Sequence, residues 1–337
     1  MVEIGIIGAG FAGSIHARAY AKTPDAHVAV VVDQDKPRAE ALAGEVGGRA
    51  ETDIDALLRD SALELVDVAV PTPLHPRFAI RALEAGKHVV IEKPLALTVA
   101  ECDAILKAGQ RSGKFVMVGH VLRFWPEYRA IRTVIQSGKL GHVMVATAHR
   151  LSNRPQWASW FHDPQATGGA LLDLQIHDVD MLNSLFGRPR RVFALGAKGE
   201  NGGWDHVVTQ IEYDTLTASA EASFMMPQDF PFTAGLRVTG DKGVVEYQFR
   251  AGGASFEMGE PVHYLYLHEA GKPNQPLDFE GGDAFESEIA HFVSCVKRGQ
   301  PSTVVTPGDA RLAVQTALAA RASLESHQPV GLDEVEP

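Results

Sequence analysis

The fold is decided by Ile6-Ile7-Gly8-Ala9-Gly10-Phe11-Ala12-Gly13, a G-x-G-x-x-G pattern that directly follows an apolar strand, Val2 to Ile7. An amphipathic stretch follows the pattern and runs to Ala21. In this context the first glycine allows a tight turn, the second lets a pyrophosphate approach the backbone, and the third permits close contact between helix and strand. Helix N-terminal amides face the anion. The residues predicted to contact a dinucleotide here are Gly8, Gly10, Phe11, Ala12 and Gly13.

An acidic residue supports this prediction. Asp33 follows the second predicted strand, His27 to Val32, about 20 residues after the glycine pattern, where a carboxylate can hold the ribose hydroxyls. The cofactor is therefore expected to be NAD. Asp33 and its neighbour Asp35 would repel the 2′-phosphate of NADP, which favours NAD over NADP. Lys36 and Arg38 could swing toward that phosphate, so that NADP stays possible.

The first 120 or so residues alternate Val/Ile-rich runs with amphipathic stretches, a pattern typical of a parallel sheet with crossover helices. The predicted strands are Val2 to Ile7, His27 to Val32, Leu65 to Val70, His88 to Ile91 and Phe115 to Val118. A capping box at Thr98-Val99-Ala100-Glu101 begins a predicted helix over 99–112. We expect an α/β fold with a doubly wound parallel sheet in residues 1–122.

From residue 123 to 337 the pattern changes to strand-like alternation, with Gly, Asp and Pro in the gaps. The predicted strands span residues 142–149, 191–197, 206–213, 216–224, 233–239, 243–249 and 262–268. Predicted helices span about 127–136, 169–186, 284–298 and 308–325. This indicates a second, α+β domain with one large, mainly antiparallel sheet. Because the helices can cover one face only, we expect the other face to pair with a second copy of the chain.

The composition excludes several classes of protein. The chain has 31 Lys and Arg against 42 Asp and Glu, a net charge of −11, which argues against nucleic acid or an anionic membrane as the main partner. No signal peptide and no apolar run of membrane-spanning length is apparent. The two cysteines, Cys102 and Cys295, lie far apart in helical patterns, as expected of buried thiols in the reducing cytoplasm.

Two clusters lie where doubly wound folds gather their ligands, at the carboxyl ends of the strands. Glu92-Lys93-Pro94 ends the fourth predicted strand, and Pro71-Thr72-Pro73-Leu74-His75 follows the third. The cofactor-binding residues predicted here are Thr72, Pro73, His75, Glu92 and Lys93. For Lys93 the alternative is a surface lysine at a strand end, and for His75 it is a helix cap.

A third cluster lies in Gly168-Gly169-Ala170-Leu171-Leu172-Asp173-Leu174-Gln175-Ile176-His177-Asp178-Val179-Asp180. On a helix Asp173, His177 and Asp180 would share one face. A carboxylate one turn from an imidazole can orient it and tune it as a general base. A structural ion pair and a metal site are the alternatives. The metal is the weakest, since no cysteine or second histidine is near, and we expect none.

Together the glycine loop, Glu92-Lys93-Pro94 and the Asp173/His177 helix resemble the glucose-fructose oxidoreductase, inositol dehydrogenase and rhizopine catabolism family (Gfo/Idh/MocA). The resemblance spans nearly the whole chain, including the junction Gly119-His120-Val121-Leu122-Arg123-Phe124 and the closing region from Phe285 to Leu332. It implies a Rossmann domain, a C-terminal domain with an open sheet, and homodimers or homotetramers. The implied activity is NAD(P)-dependent oxidation of a secondary alcohol on a cyclitol or sugar, or the reverse.

The resemblance also implies roles for individual residues. Lys93 resembles the lysine that contacts the reacting hydroxyl and the nicotinamide region, Asp173 the acid that positions the substrate, and His177 the general base. An ammonium near the oxygen would stabilise developing negative charge while an imidazole accepts the proton. The residues expected at the substrate are Lys93, His120, Arg123, Arg154, Trp157, Asp173 and His177. For the arginines and Trp157, surface ion pairs and a packed aromatic are the alternative.

Two other functions are compatible with the sequence. One is a glycoside-processing enzyme that keeps its NAD and acts by transient oxidation, which would release no free NADH. The other is a non-catalytic NAD-binding sensor, which would not need Lys93, Asp173 and His177 together. The sequence does not identify the sugar or cyclitol, its stereochemistry or the direction of reaction.

Overall fold

A computed structural model describes residues 1–156, 159–251 and 262–335. The chain forms two compact units. The first contains Met1–Phe124 and Gly282–Arg311, and the second contains Trp125–Gly281 and the chain from Leu312 onward. The sequence-based prediction places the boundary after residue 122 and lets the C-terminal helix, which begins at Asp309-Ala310-Arg311, return to the first domain; in the structure the first unit takes Gly282–Arg311.

The strands lie close to the predicted ones, with three short additions at Arg49–Glu51, Gln275–Pro276 and Val330–Gly331. In chain order they are β1 (Val2–Ile7), β2 (Ala26–Val32), β3 (Arg49–Glu51), β4 (Leu65–Val68), β5 (His88–Glu92), β6 (Val116–Gly119), β7 (Val143–Leu151), β8 (Arg191–Lys198), β9 (Trp204–Glu212), β10 (Thr217–Ser223), β11 (Thr233–Gly240), β12 (Gly243–Arg250), β13 (Val262–Glu269), β14 (Gln275–Pro276) and β15 (Val330–Gly331).

The helices also follow the predicted pattern. They are α1 (Phe11–Lys22), α2 (Lys36–Val46), α3 (Ile54–Arg59), α4 (His75–Glu84), α5 (Val99–Ser112), α6 (Pro126–Gln136), α7 (Pro164–Thr167), α8 (Ile176–Phe186), α9 (Ala284–Arg298) and α10 (Pro307–Ser326). The capping box of α5 is present, because the Thr98 side chain accepts from the Glu101 amide and Glu101 accepts from the Thr98 amide. None of the helices described here is long and apolar enough to span a bilayer.

The first unit is built on a six-stranded parallel sheet in the order β3-β2-β1-β4-β5-β6. This is the doubly wound order, which reverses direction beside β1. Apart from the polar edge strand β3, the strands are rich in Val and Ile because helices cover both faces of such a sheet. One exception is Asp67, which is fully buried in β4. The order places the loops after β1, β4 and β5 at one edge of the sheet.

The second unit contains a nine-stranded sheet in the order β14-β13-β12-β11-β7-β10-β9-β8-β15. Its pairs are antiparallel except β7 with β10. One face is buried: Ala170 and Leu174, just before α8, pack against Ala222 and Phe224. The opposite side, called the outer face below, presents Val145, Thr147, His149, Phe193, Leu195, Tyr264 and Tyr266. The predicted fold class is thus confirmed.

Candidate active site

The loop between β1 and α1 requires glycine at two of its three glycine positions. Gly8 has a φ of +104°, and a Cβ there would lie 2.2 Å from the carbonyl oxygen of Ala69. A Cβ on Gly13 would lie 1.9 Å from the carbonyl oxygen of Gly8. A Cβ on Gly10 would meet nothing within 4 Å. The loop is therefore tightly packed on its inner side and open at Gly10, where a pyrophosphate is expected to approach.

Helix α1 begins immediately after this opening. Gly10 is the N-cap residue and contributes no side-chain hydrogen bond to the first turn. The positive end of the helix dipole and the first-turn amides are thus directed toward the position of an anion. Phe11 is 55% exposed and Ala12 is half-buried, so both lie at the surface of the loop.

The carboxylate of Asp33 lies beside the same loop. Its Oδ2 accepts a hydrogen bond of 2.8 Å from the amide of Ala9, and its Oδ1 accepts one of 2.9 Å from the amide of Asp35. A carboxylate has about four acceptor positions, so two remain for ribose hydroxyls. The structure therefore brings together the glycine loop and the acid that the sequence assigns to the ribose.

Residues after β4 form a short 3-10 turn, Thr72–Leu74. Thr72 is buried, and Pro73 is exposed. His75 is 1% exposed, with Nε2 2.8 Å from the carbonyl oxygen of Val70 and Nδ1 2.9 Å from that of Pro94. Burial lowers the pKa of His75. The ring therefore connects two loops at this edge of the sheet, a structural task that the helix-cap alternative did not anticipate.

Glu92 is the last residue of β5, and its carboxylate fixes the start of the next segment. Its Oε2 accepts a hydrogen bond of 3.0 Å from the amide of Lys93, and its Oε1 lies 2.9 Å from Nε2 of the buried His16. A Cβ on Gly119 of β6 would lie 3.3 Å from Oε1, so glycine at this position leaves space for the carboxylate. Lys93 itself is half-buried.

In the second unit the predicted helix over 169–186 is not uniform. Leu171–Gln175 forms a π-helical turn, and α8 begins only at Ile176. Asp173 and His177 are both half-buried, whereas Asp180 is 1% exposed. A wider π turn advances less than 100° per residue, so that it rotates the following residues relative to Asp173. Asp180 is thus buried, whereas Asp173 and His177, with which it is predicted to share a face, are partly exposed.

The π turn is anchored to the sheet by a side chain between the two candidate residues. Gln175 is fully buried; its amide nitrogen donates to the carbonyl of Ala220 at 2.9 Å, and its oxygen accepts from the Thr209 hydroxyl at 2.9 Å. A buried amide with both ends satisfied fixes the local backbone. The segment that carries Asp173 and His177 is thus held against β9 and β10.

A buried ion pair lies next to His177 and was not predicted. Arg150 on β7 donates two hydrogen bonds of 2.9 Å to the carboxylate of Asp178. Arg150 is 5% exposed and Asp178 is 1% exposed. Burial opposes the charge on Arg150, but Asp178 outweighs it and raises the pKa of the guanidinium. The pair connects the first turn of α8 to the sheet. No local sequence pattern indicates it, because 28 positions separate the partners.

Two of the predicted substrate residues lie deep in the first unit. Arg123 is 6% exposed and donates to the carbonyl oxygen of Val304 at 2.9 Å and to the carboxylate of Asp309 at 3.0 Å. His120 is 1% exposed. For Arg123 this geometry favours the ion-pair alternative.

Arg154 is engaged in a similar way in the second unit. Its guanidinium pairs with the buried carboxylate of Asp205 and donates to the carbonyl oxygen of Phe161 at 2.9 Å. The geometry favours the ion-pair alternative here too. Trp157 lies outside the described residues.

The first unit fits NAD on its own geometry. The opening at Gly10, the uncapped start of α1 and the oriented carboxylate of Asp33 match the pyrophosphate and the ribose of a dinucleotide. The second unit carries an acid and an imidazole, Asp173 and His177, on the segment held by Gln175. The first unit, with its doubly wound sheet and glycine loop, is an NAD-binding Rossmann fold.

Comparison with known proteins agrees. Residues 2–120 match the oxidoreductase family with the NAD-binding Rossmann fold, GFO/IDH/MocA, and residues 128–246 match the GFO/IDH/MocA C-terminal domain. The chain belongs to the GFO/IDH/MocA family. The resemblance noted from the sequence, the enzyme class and NAD as cofactor are thus confirmed.

Three relatives illustrate the similarity. The chain is 30% identical over 312 residues to inositol 2-dehydrogenase of Rhizobium meliloti, covering 88% of this chain and 89% of the relative. It is 28% identical to scyllo-inositol 2-dehydrogenase (NAD(+)) of Bacillus subtilis, covering 98% and 96%. A crystal structure of GenD2 from gentamicin A biosynthesis, in complex with NAD, has a TM-score of 0.82 and 27% identity, and covers 98% and 96%.

Proposed function

We propose that this protein is an NAD-dependent dehydrogenase that oxidises a secondary alcohol of a cyclitol or sugar, or reduces the corresponding ketone. The observation that carries the proposal is the half-buried acid–imidazole pair, Asp173 and His177, on a segment fixed to the sheet by Gln175. The names of the relatives, two of them inositol dehydrogenases, support the substrate class.

The chain's own residues have separate tasks in this proposal. His177 accepts the hydroxyl proton of the substrate, and Asp173 orients the substrate and the imidazole. The ammonium of Lys93 stabilises the negative charge that develops on the oxygen as the proton leaves. NAD, when bound, supplies the acceptor for the hydride that leaves carbon.

Asp33 is proposed to make NAD the preferred cofactor. Two nearby cationic side chains could bind the 2′-phosphate of NADP, but each forms an ion pair with a neighbouring carboxylate. Arg38 lies 3.6 Å from the carboxylate of Asp35, and Lys36 lies 3.5 Å from that of Glu40. Exposed ion pairs are weak, so these two reduce the attraction of Lys36 and Arg38 for a 2′-phosphate without abolishing it.

The remaining proposals concern the assembly and its surroundings. The protein is proposed to form a homodimer or homotetramer through the outer face, where Val145 and Leu195 are 41% and 56% exposed. A cytoplasmic location is supported by the two cysteines, which are free, buried thiols. A small polyol or sugar is proposed as the substrate.

The direct test is a panel of cyclitols, aldoses and uronic acids incubated with NAD, with absorbance at the reduced-nicotinamide band as the signal. We expect multiple turnovers with at least one cyclitol or sugar, and NADH free in solution. Substrate conversion without free NADH would instead support transient oxidation with retained cofactor. No conversion of any member with NAD or NADP would contradict the proposal.

A further inference from the structure

A buried histidine on α1 bridges two carboxylates of the central sheet. His16 Nδ1 lies 2.9 Å from Oδ2 of Asp67 on β4, and its Nε2 lies 2.9 Å from Oε1 of Glu92 at the end of β5. The hydroxyl of Tyr20 donates to the same Oδ2 of Asp67 at 2.9 Å. We call these four residues the His16 cluster. His16, Tyr20 and Asp67 have no exposed surface.

The two contacts of His16 favour its protonated form. A neutral imidazole has one N–H donor and one acceptor, so that one of the two contacts would set a nitrogen lone pair against a carboxylate. An imidazolium hydrogen-bonds Asp67 through Nδ1 and forms an ion pair with Glu92 through Nε2. Each carboxylate also accepts a second donor, the Tyr20 hydroxyl at Asp67 and the Lys93 amide at Glu92.

The charges around His16 lead to the same conclusion. Burial alone would lower the pKa of His16, but the charges and hydrogen bonds of Asp67 and Glu92 outweigh burial and raise that pKa well above its ordinary value. Burial would likewise raise the pKa of Glu92, but His16 outweighs it and lowers that pKa, with smaller contributions from Lys93 and His75.

The far side of the cluster is closed. Burial, followed by Asp67 and the buried Glu288 of α9, raises the pKa of Tyr20, so the phenol stays protonated. The ring of Phe285, whose centroid is 6.3 Å from that of His16, lies on the same side. With no exposed member at that end, the cluster is a fixed arrangement of charges and not a path for protons to solvent.

We propose that His16 is a positioning residue for the reaction: a permanent imidazolium that keeps Glu92 ionised and, through it, holds the backbone of Lys93. Glu92 accepts the Lys93 amide with Oε2 and forms an ion pair with His16 through Oε1. His16 also lies on α1, the helix that begins at the glycine loop. His16 thus links α1 to Glu92, the residue just before Lys93. Lys93 is the residue that we propose stabilises the developing oxyanion. The inference rests on the proposed role of Lys93.

The first test needs no substrate. With ¹⁵N-labelled histidine, we expect both ring nitrogens of His16 to give imidazolium shifts at pH 8.5, about two units above the ordinary histidine pKa. The resonance is assigned by its loss in His16→Gln or, if that variant does not fold, by its displacement in Tyr20→Phe. A neutral His16 at this pH would overturn the inference, whatever the substrate panel gives.

The second test compares His16→Gln with Tyr20→Phe. Both remove a hydrogen bond from Asp67 in the same buried place, but only the first removes the positive charge beside Glu92. By ¹³C-carboxyl titration we expect the pKa of Glu92 to rise by about one unit or more in His16→Gln and to stay unchanged in Tyr20→Phe. Equal Glu92 titrations in the two variants would overturn the inference.

Kinetics separates this inference from the proposed function. With a substrate from the panel, single-turnover reduction of NAD should slow roughly 10- to 100-fold in His16→Gln, because Lys93 loses its fixed position. In Tyr20→Phe it should slow less than about threefold, and the NAD dissociation constant should change little in either variant. If no substrate is found, the proposed function fails while the two titrations still decide the role of His16. Equal rates in the two variants would show that His16 does not position Lys93.

Discussion

A single carboxylate, that of Asp33, is held where it discriminates between the two nicotinamide cofactors. Both its oxygens are oriented by backbone amides, so it cannot rotate away from an incoming phosphate without losing them. A carboxylate about 4 Å from a phosphate charge costs about 4 kcal/mol at an effective dielectric near 20, which corresponds to roughly a thousandfold discrimination.

We expect Asp33→Ser to lower the ratio of kcat/KM for NAD over NADP by about 100-fold or more. The control is Asp35→Asn, which removes a neighbouring charge but keeps a good N-cap for α2 and should change the ratio less than about fivefold. Steady-state kinetics with both cofactors measures the ratios. A wild-type enzyme that uses NADP as efficiently as NAD would contradict this account of Asp33.

The sequence predicts the role of a functional residue when its partners lie in the same short segment of the chain. The glycines and Asp33 belong to a pattern whose spacing reflects one turn and one strand, and the structure brings them together. His16 and Asp67 form no such pattern, because 51 positions separate them and their contact depends on the order of the strands. Arg154 illustrates the converse: its position suggested a substrate contact, but the buried Asp205, 51 positions away, accepts its guanidinium.

Among the structural elements, the glycine loop has one position that matters for folding, Gly13, and another that matters for cofactor binding, Gly10. Gly13→Ala places a methyl 1.9 Å from a carbonyl oxygen, which requires α1 to move off the sheet. Gly10→Ala places a methyl in open space, where only the cofactor would meet it. The two substitutions are chemically identical and lie three positions apart.

We expect Gly10→Ala to fold with a melting temperature within a few degrees of wild type and to lose at least tenfold in NAD affinity. Gly13→Ala should lose several kcal/mol of stability, as overpacked sites commonly do. Thermal unfolding and NAD titration by fluorescence measure the two effects. Unchanged NAD affinity in a folded Gly10→Ala protein would show that the pyrophosphate does not approach there.

The start of β5 carries a pH-dependent contribution to stability. His88 Nδ1 accepts a hydrogen bond of 3.0 Å from the amide of Phe115, which requires an unprotonated nitrogen. Burial, followed by the charge of Lys114, lowers the pKa of His88 to about 4. The unfolded chain therefore binds more protons between pH 4 and 6.5, and the stability from this residue is lost as the pH falls through that window.

We expect urea unfolding to show this loss, at most about 2 to 3 kcal/mol because the ring is only half-buried. In His88→Asn the amide oxygen can replace Nδ1 as the acceptor without titrating. The difference in unfolding free energy between wild type and His88→Asn should therefore depend on pH between 6.5 and 4 and be flat above 7. Parallel curves through the window would disprove the assignment.

Helices and strands were largely predictable, because each is governed by short-range periodicity and end signals. The capping box at Thr98 set the start of α5 correctly. The π turn at Leu171–Gln175 was not predicted, since apolar residues at helical spacing do not distinguish a π turn from an α-helix. Its formation depends on Gln175, whose partners lie on two distant strands. The strand β3 was missed because Arg49-Ala50-Glu51 is short and polar.

Across the whole molecule, the outer face is the surface that we propose for self-association. Its rows of side chains combine exposed apolar residues with small polar ones, such as Val145 and Thr217 in one row. A broad sheet with one uncovered face commonly packs against a symmetry-related copy. The sequence predicted this uncovered face from the number of strands and helices alone.

We expect light scattering at micromolar concentration to give the mass of a dimer or tetramer, and Leu195→Glu combined with Val145→Glu to shift it to the monomer. Val304→Glu, in the first unit, is the matched control: Val304 is 36% exposed and belongs to no strand of the nine-stranded sheet, so the mass should not change. A strictly monomeric wild type would refute the prediction.

The proposed role of His177 as the general base of a dehydrogenase predicts a large loss of turnover in His177→Ala. With a substrate from the panel and saturating NAD, a missing general base should lower kcat by roughly 10² to 10⁴, while NAD affinity stays within about twofold. The free-energy change is about 3 to 5.5 kcal/mol at the transition state. A variant with kcat close to wild type would contradict the account and leave Asp173 and His177 as a structural pair.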